Sequence, residues 1–328
     1  RLLSVVNQPA DSAVRVNLLK NPDPRQAFSR WSQRYGWQAQ PAPFASNAWQ
    51  ISSAQTPPGQ TIEHRFGYYY IQDAASILPV SLFSPLPTDG LMLDMAASPG
   101  GKTTQLVDSG GDANLVLAND SSASRLQALR VVLLNWGAAN TAVINFPGEK
   151  LGAWFPERFD RVLLDAPCSM EGLRVSASHP FRPITAAERE RLSARQFALL
   201  ESAVSTARVG AEIVYSTCTL APEENEAVLS AFLEKHPGSV RVERASAAEL
   251  NAPGLTHFAG RDFDPQAALS LRLWPHLAGT NGFFAVKLIK LTPLNLPGQM
   301  PPFRPFSKTG LERLETKDQA LLFTMLQD

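Results

Sequence analysis

LMLDMAASPGGKTTQL, residues 91–106, reads as a short apolar strand (Leu91, Met92, Leu93) ending on Asp94. A loop of small residues follows (Ala96, Ala97, Ser98, Pro99, Gly100, Gly101), and a helix opens at Lys102-Thr103-Thr104. Such a turn is a ligand cradle, because main-chain N–H groups are free at the helix start and small side chains let a ligand approach the backbone. A phosphate loop needs Gly, four residues, then Gly-Lys-Thr. Gly101-Lys102-Thr103 is present, but Ala96 stands where the first glycine belongs. The three spaced glycines of a dinucleotide fingerprint are missing too.

An acidic strand end before a glycine turn remains, as in methyltransferases that bind S-adenosyl-L-methionine. Downstream of it, strands and helices alternate, which predicts α/β architecture: a Rossmann-like domain with a mostly parallel sheet and helices on both faces. Asn114–Asp120 is an apolar strand ending in an acid, and Asp120 is placed to accept bonds from the two hydroxyls of an adenosine ribose. A helix over Ser124–Trp136 follows, then strands at Ala142–Phe146 and Phe159–Leu164, a long helix over Ala186–Ala207, and a strand at Glu212–Tyr215.

The last two strands run into Asp165-Ala166-Pro167-Cys168-Ser169 and Ser216-Thr217-Cys218-Thr219. Ligands of open α/β sheets bind at the carboxyl ends of strands. The chain has 2 cysteines, and each directly follows such an end. One strand-end cysteine is commonly a small buried hydrophobe; two at neighbouring positions, with none elsewhere, point to chemistry.

With the Pro99–Thr103 loop, the two cysteine motifs and Pro222-Glu223-Glu224-Asn225-Glu226, the chain resembles the Sun-type RNA cytosine-5 methyltransferases, above all their bacterial small-subunit rRNA members. Arg272-Leu273-Trp274-Pro275-His276 and Gly282-Phe283-Phe284 carry the resemblance on, so that it covers residues 11 to 290. It implies S-adenosyl-L-methionine as methyl donor, Cys218 as nucleophile on carbon 6 of cytosine, and Cys168 as the group assisting product release. Asp165 is implied on the cytosine edge, with Lys102 orienting it or the base. The donor site implied is Asp94, Ala96, Ala97, Ser98, Pro99, Gly100, Gly101, Lys102, Asp120, Arg125 and Asp165. Carbon 5 of cytosine is a poor nucleophile, and adding a thiolate to carbon 6 activates it by covalent catalysis. No metal is implied.

Four positions depart from the family pattern. Phe146-Pro147-Gly148 lacks the Asp expected after the third strand, so adenine recognition there falls to the backbone or another side chain. Ser98 replaces alanine, Met170 replaces the glycine after Cys-Ser, and Asn281 replaces an Asp. Competing readings are a methyltransferase of the same fold acting on tRNA, protein or a small molecule, and an inactive RNA-binding relative in ribosome assembly.

The 328 residues allow one large core and a smaller domain. We expect an N-terminal α+β accessory domain over 1–75, a catalytic domain over 76–291, and a Pro-rich linker with a C-terminal helix (Leu311–Leu326) over 292–328. In the first, a strand near Ala13–Leu19, a helix over Asp23–Tyr35 and a strand around Trp49–Ile51 are predicted. Tyr68-Tyr69-Tyr70 is expected at a domain seam, followed by a helix over Ala74–Phe83. The formal net charge is +0, so RNA contact must use a local patch. Arg15, Arg174 and Arg182 are its candidates; Arg189, Arg191 and Arg195 are expected on a solvated helix face. Two cysteines make no secreted disulfide framework, which together with the lack of a long apolar run or secretory leader suggests a reducing, cytoplasmic setting and a monomer without membrane contact. Arg1 in place of a methionine suggests that the numbering omits a true start.

Overall fold

The computed structural model describes residues 10–85, 90–111, 113–175, 182–244, 252–298, 300–302 and 315–325, with positions 4, 5, 8 and 180. The N-terminal part runs β1 (Ser12–Val16), α1 (Pro24–Tyr35), β2 (Trp37–Pro41), β3 (Ala48–Ala54), α2 (Ile62–Arg65) and β4 (Tyr69–Asp73). Its strands form an antiparallel sheet in the order β2-β3-β1-β4. Asp23 starts α1 by accepting the Gln26 N–H at 2.9 Å, with Pro24 in the first turn. Alternation along β1 sends Val14 and Val16 into a core with Phe28, Trp31, Trp37 and Tyr69, while Ala13 packs on the other face with Ala74 and Ile77. β2 escapes sequence reading because WQAQP is polar, ends in proline and buries only Trp37; it is an edge strand.

The expected helix over Ala74–Phe83 is instead a 3-10 turn, Ala74–Ile77, and one turn of helix, α3 (Leu78–Ser81). The large sheet then begins. In chain order come β5 (Leu91–Asp94), α4 (Gly101–Gly110), β6 (Leu115–Asn119), α5 (Ala123–Trp136), β7 (Thr141–Ile144), α6 (Gly148–Trp154), β8 (Phe159–Asp165), α7 (Ala186–Thr206), β9 (Ala207–Thr217), α8 (Glu226–Lys235) and β10 (Val240–Glu243). The short strands β11 (Ala252–Pro253), β12 (His257–Phe258), β13 (Arg261–Asp262) and β14 (Leu271–Leu273) follow, then α9 (Pro275–Ala278) and β15 (Phe283–Lys290). Nine strands form the sheet in the order β11-β14-β15-β9-β8-β5-β6-β7, with β10 also on β15. β7, β6, β5, β8 and β9 are parallel; β15 turns the edge antiparallel on β9.

Period-2 alternation splits the sheet's side chains between two cores. Leu93, Val162, Leu164, Ile213 and Tyr215 face α6, α7 and α8, whereas Met92, Val116, Leu163 and Val214 face α3 and α4. The strand order reverses between β5 and β8, the switch point where such sheets hold ligands.

Both sheets lie in one compact unit ending at Pro297, so the N-terminal sheet is not set apart from the large one; residues 298–328 form a second unit, in which α10 (Thr316–Met325) is described. The rest of the expected Leu311–Leu326 helix, and linker residues 303–310, lie outside the described residues. Among those described, no helix is long and apolar enough to cross a membrane.

Arg15 corrects one expectation. It is fully buried, not at the surface to meet a phosphate. From β1 it crosses to α4, donating to Asp108 at 2.5 Å, to the Gly101 carbonyl at 2.9 Å and to Thr104 Oγ1 at 2.6 Å. The guanidinium lies 4.7 Å from the Trp136 ring, whose Nε1–H donates to the other Asp108 oxygen. Tyr70 reinforces the seam, since a Cβ on Gly101 would sit 2.7 Å from its ring. Truncating one member of a buried pair leaves an uncompensated charge. Arg15→Ala is therefore expected to lower unfolding free energy by about 3–5 kcal/mol in urea titrations.

Candidate active site

Asp94 ends β5 and is buried under the glycine loop, where its carboxylate accepts from Thr103 Oγ1 at 2.7 Å and from the Ala96 N–H at 3.4 Å. Burial pushes its pKa up to about 7. Gly100 has φ +118°, a left-handed conformation in which a Cβ would meet Val132 at 2.9 Å. That close packing seats the loop against Leu126, Leu129 and Leu133 of α5 through Ala97.

Asp120, just past β6, is 2 % exposed. Its carboxylate takes the Ser98 N–H at 3.3 Å and the Ser122 N–H at 2.8 Å, and it pairs with Arg125 at 3.3 Å. A second Arg125 nitrogen donates to the Ser98 carbonyl, so the arginine bridges the glycine loop and the second strand end. Where the family pattern has an Asp, Asn145 donates to the Asp120 carbonyl at 2.6 Å and Asn119 to the Phe146 carbonyl at 3.1 Å. These amides shape the third strand end with main-chain atoms.

Parallel pairing puts Asp165 beside Ser216. The Asp165 carboxylate takes Lys102 Nζ at 2.7 Å on one oxygen and the Ser216 hydroxyl at 2.8 Å on the other. Burial works against the Lys102 ammonium, but Asp165 outweighs it and raises the lysine above its ordinary value. Ser216 was not singled out from sequence; its signal is that it lies one strand over from Asp165.

The two cysteines meet. Their sulfurs are 3.3 Å apart and both thiols are free. The hydrogen bond between them, together with burial, pushes the Cys168 pKa well above the usual thiol range. The Met170 N–H, directed at the Cys168 sulfur, pulls the other way. Gly172 closes the site: its N–H donates to the Cys218 carbonyl at 3.0 Å, its carbonyl accepts the Gly282 N–H at 2.7 Å, and a Cβ there would lie 2.6 Å from Gly282 O.

A cleft of about 430 Å³ joins these groups. Ala96, Ser98, Asp120 and Arg125 line one end; Asp165, Cys168, Met170 and Cys218 line the other. Met95, Gly148, Arg195 and Leu199 also line it and were not foreseen from sequence as donor-site residues. Arg195 carries an ion pair to Glu149 at 2.6 Å. Arg189 leaves the expected solvated face to bind Glu171 at 2.6 Å and the buried Glu224 at 3.1 Å, whereas Arg191 stays exposed. Arg182 forms two bonds to Glu188, at 3.1 and 2.8 Å. Arg174 donates to the Pro275 carbonyl at 3.2 Å, and its own N–H bonds Asn281 at 2.8 Å. Among the described residues no group of acids, histidines and cysteines is arranged to hold a metal.

Fold and cleft together define the Rossmann-like methyltransferase class, the cleft lying at the carboxyl ends of β5, β6, β8 and β9. The family described as 16S rRNA methyltransferase RsmB/F matches residues 81–289, and the chain belongs to that family. It is 38% identical over 319 residues to ribosomal RNA small subunit methyltransferase F of Erwinia tasmaniensis, covering 94% of this chain and 64% of that protein. It is 35% identical to the protein so named from Klebsiella pneumoniae, covering 93% of this chain and 63% of the relative. The chain thus spans just under two thirds of the length of these two relatives. Among solved structures it is similar to a methyltransferase homolog protein from Pyrococcus horikoshii, with TM-score 0.78 and 29% identity over 88% of this chain and 90% of that one. NSun6 from the same organism shares the fold, with TM-score 0.71 and 20% identity over 89% of this chain and 94% of that one.

Two measurements probe the site without a substrate. With Asp94 near 7 when folded and about 4 when unfolded, the folded state holds the proton more tightly between those values. Stability therefore falls as pH rises through that window, by at most about 1.4 kcal/mol per pH unit; Asp94→Asn should flatten the slope in denaturation curves taken from pH 4 to 7. Met170 occupies φ +60°, where a Cβ is unfavourable. Met170→Gly should stabilise the fold by roughly 0.5–1 kcal/mol in urea titrations.

Proposed function

We propose that this chain transfers a methyl group from S-adenosyl-L-methionine to carbon 5 of a cytidine in RNA, the RNA being that of the small ribosomal subunit. The observation that carries the reading is the 3.3 Å approach of the two sulfurs beside the Lys102–Asp165 pair, in the cleft that also reaches Asp120. A methyltransferase acting on an already nucleophilic atom needs no thiol, and a structural role for cysteines does not require both at one strand-end cleft. A relative that only bound RNA would have no use for the set Asp165, Cys168, Cys218 and Lys102.

The cleft residues fit the donor. Asp120 offers an acceptor to ribose hydroxyls, Arg125 holds the loop against it, and the small side chains Ala96, Ala97 and Ser98 with Pro99, Gly100 and Gly101 leave the main chain open. Asp94 stands at the strand end behind them, with its carboxylate half-committed to Thr103. When bound, the donor supplies an electrophilic sulfonium methyl group.

Cys218 adds as thiolate to carbon 6 of cytosine, which turns carbon 5 into an enamine-like nucleophile. Asp165, fixed by Lys102 and Ser216, faces the N3 and amino edge of the base and stabilises charge that develops there. After methylation the carbon-5 proton leaves, the carbon–sulfur bond breaks and the Cys218 thiolate is released. Cys168 assists that step. Its sulfur is in contact with the one that departs, which places it to assist there while the carbon-5 proton passes to solvent. The base must be unpaired or flipped out to reach the thiols. Arg182, exposed before α7, and Arg174 are the proposed contacts to the RNA backbone. Residues 1–75 act as an accessory RNA-binding region, through exposed Arg25 and Arg30 and not through Arg15.

The test uses small-subunit rRNA lacking this methylation and labelled donor. Cys218→Ala is expected to abolish transfer by at least about 1,000-fold, and Cys168→Ala to accumulate a protein–RNA adduct that survives denaturing gels. Absence of both transfer and adduct in the wild-type and Cys168→Ala proteins would overturn the proposal.

A further inference from the structure

Glu224 is fully buried, six residues past Cys218 in sequence and outside the catalytic set above. Its carboxylate does not face the cleft. It grips the loop that carries Cys168. One oxygen accepts the Ser169 N–H at 3.0 Å and Gln196 Nε2 at 2.9 Å; the other takes Arg189 at 3.1 Å. The same Gln196 amide donates to the Pro167 carbonyl at 2.9 Å. Both chain neighbours of Cys168 are thus held by one carboxylate, Ser169 directly and Pro167 through Gln196.

The grip has an outer brace. Arg189 also binds Glu171, and Glu171 takes the Ser169 hydroxyl at 3.1 Å. That hydroxyl lies 2.9 Å from Thr219 Oγ1, next to Cys218. Meanwhile Tyr215 OH donates to the Glu224 carbonyl at 2.5 Å, fixing the carboxylate's own backbone to β9. Cys218 directly follows β9, and the Thr217–Asn225 bond at 2.6 Å holds that strand end without a bond to the Glu224 carboxylate. The carboxylate's direct bonds therefore reach the chain on either side of Cys168 and not that on either side of Cys218.

We propose that Glu224 is a positioning residue for Cys168, holding its sulfur where it can assist release, and that the nucleophilic step does not depend on it. The inference rests on the covalent reading of the site given above. A buried anion whose acceptors are all occupied by a loop's main chain, an amide and an arginine tolerates little displacement, and displacement of about 1 Å from working geometry can cost about 100-fold in rate.

Glu224→Gln keeps size but places an NH2 donor among donors, so one of the three partners loses its acceptor. With small-subunit rRNA and S-adenosyl-L-methionine, the folded variant is expected to form the denaturant-stable adduct and to transfer one methyl group at close to the wild-type rate. Multiple turnover should fall roughly 10- to 100-fold, with adduct accumulating as it does in Cys168→Ala. Loss of adduct formation and turnover together, in a variant melting as the wild type does, overturns the proposal; so does unchanged turnover. Should Glu224→Gln not fold, Gln196→Met severs the Pro167 arm alone and is read by the same two criteria. If Cys168→Ala itself yields no adduct, the covalent reading fails; if Cys168→Ala traps RNA and the Glu224 and Gln196 variants do not, only the role of Glu224 fails.

Discussion

The chemistry of this chain hangs on the register in which β8 pairs with β9, Leu164 beside Tyr215 and Asp165 beside Ser216. Parallel strands in that register end level with one another, so the residues that follow them emerge side by side. Cys168 comes three positions after Asp165 and Cys218 two after Ser216, and the sulfurs touch. A slip of one residue would turn every side chain of one strand to the opposite face. The registry is secured by the split cores: Leu164 and Tyr215 must face α7 and α8, and Leu163 and Val214 must face the other side.

Around that register the polar groups are arranged in two tiers. The inner tier, Lys102–Asp165–Ser216, borders the cleft and leaves the carboxylate oriented at both oxygens. The outer tier, the buried Glu224 and Gln196 with the partly exposed Arg189, faces main chain. A third buried pair lies further out, where Arg272 binds both oxygens of Glu226 at 2.6 Å and donates to the Leu220 carbonyl at 2.9 Å. Ionic groups buried at such density lend little net stability. What they fix is the path of the chain between Cys218 and α8.

Much of this was legible in the sequence because it is local. The strand-turn-helix at Asp94–Thr103, the acid after β6 and the two cysteine motifs each announce themselves within a few residues. Alternation of strands with helices then places their ends on one edge. Long-range pairings were not legible. Arg15 reads as one more basic residue of a basic segment until Asp108, 93 positions away, is seen beside it. Arg189 has the spacing of a solvated helix face and is claimed by a carboxylate 35 residues on. The short strands β10, β11 and β14 of the antiparallel edge and the separate β12–β13 pair were missed, having too few residues to show a period, and β9 begins earlier than its apolar stretch because Arg208, Val209 and Gly210 are exposed. No absent aspartate after β7 had to be replaced by another charge: Asn119 and Asn145 organise that corner from the backbone side.

Because the Gly101 carbonyl and Thr104 hydroxyl are both held by a guanidinium borrowed from β1, the glycine loop is not the property of the segment that encodes it. Severing the chain near residue 75, where composition changes, would strip Asp108 and Trp136 of their counterpart and expose the underside of the turn to water. The first seventy residues line none of the cleft, yet through Arg15 they buttress from behind the helix start on which its glycine loop rests.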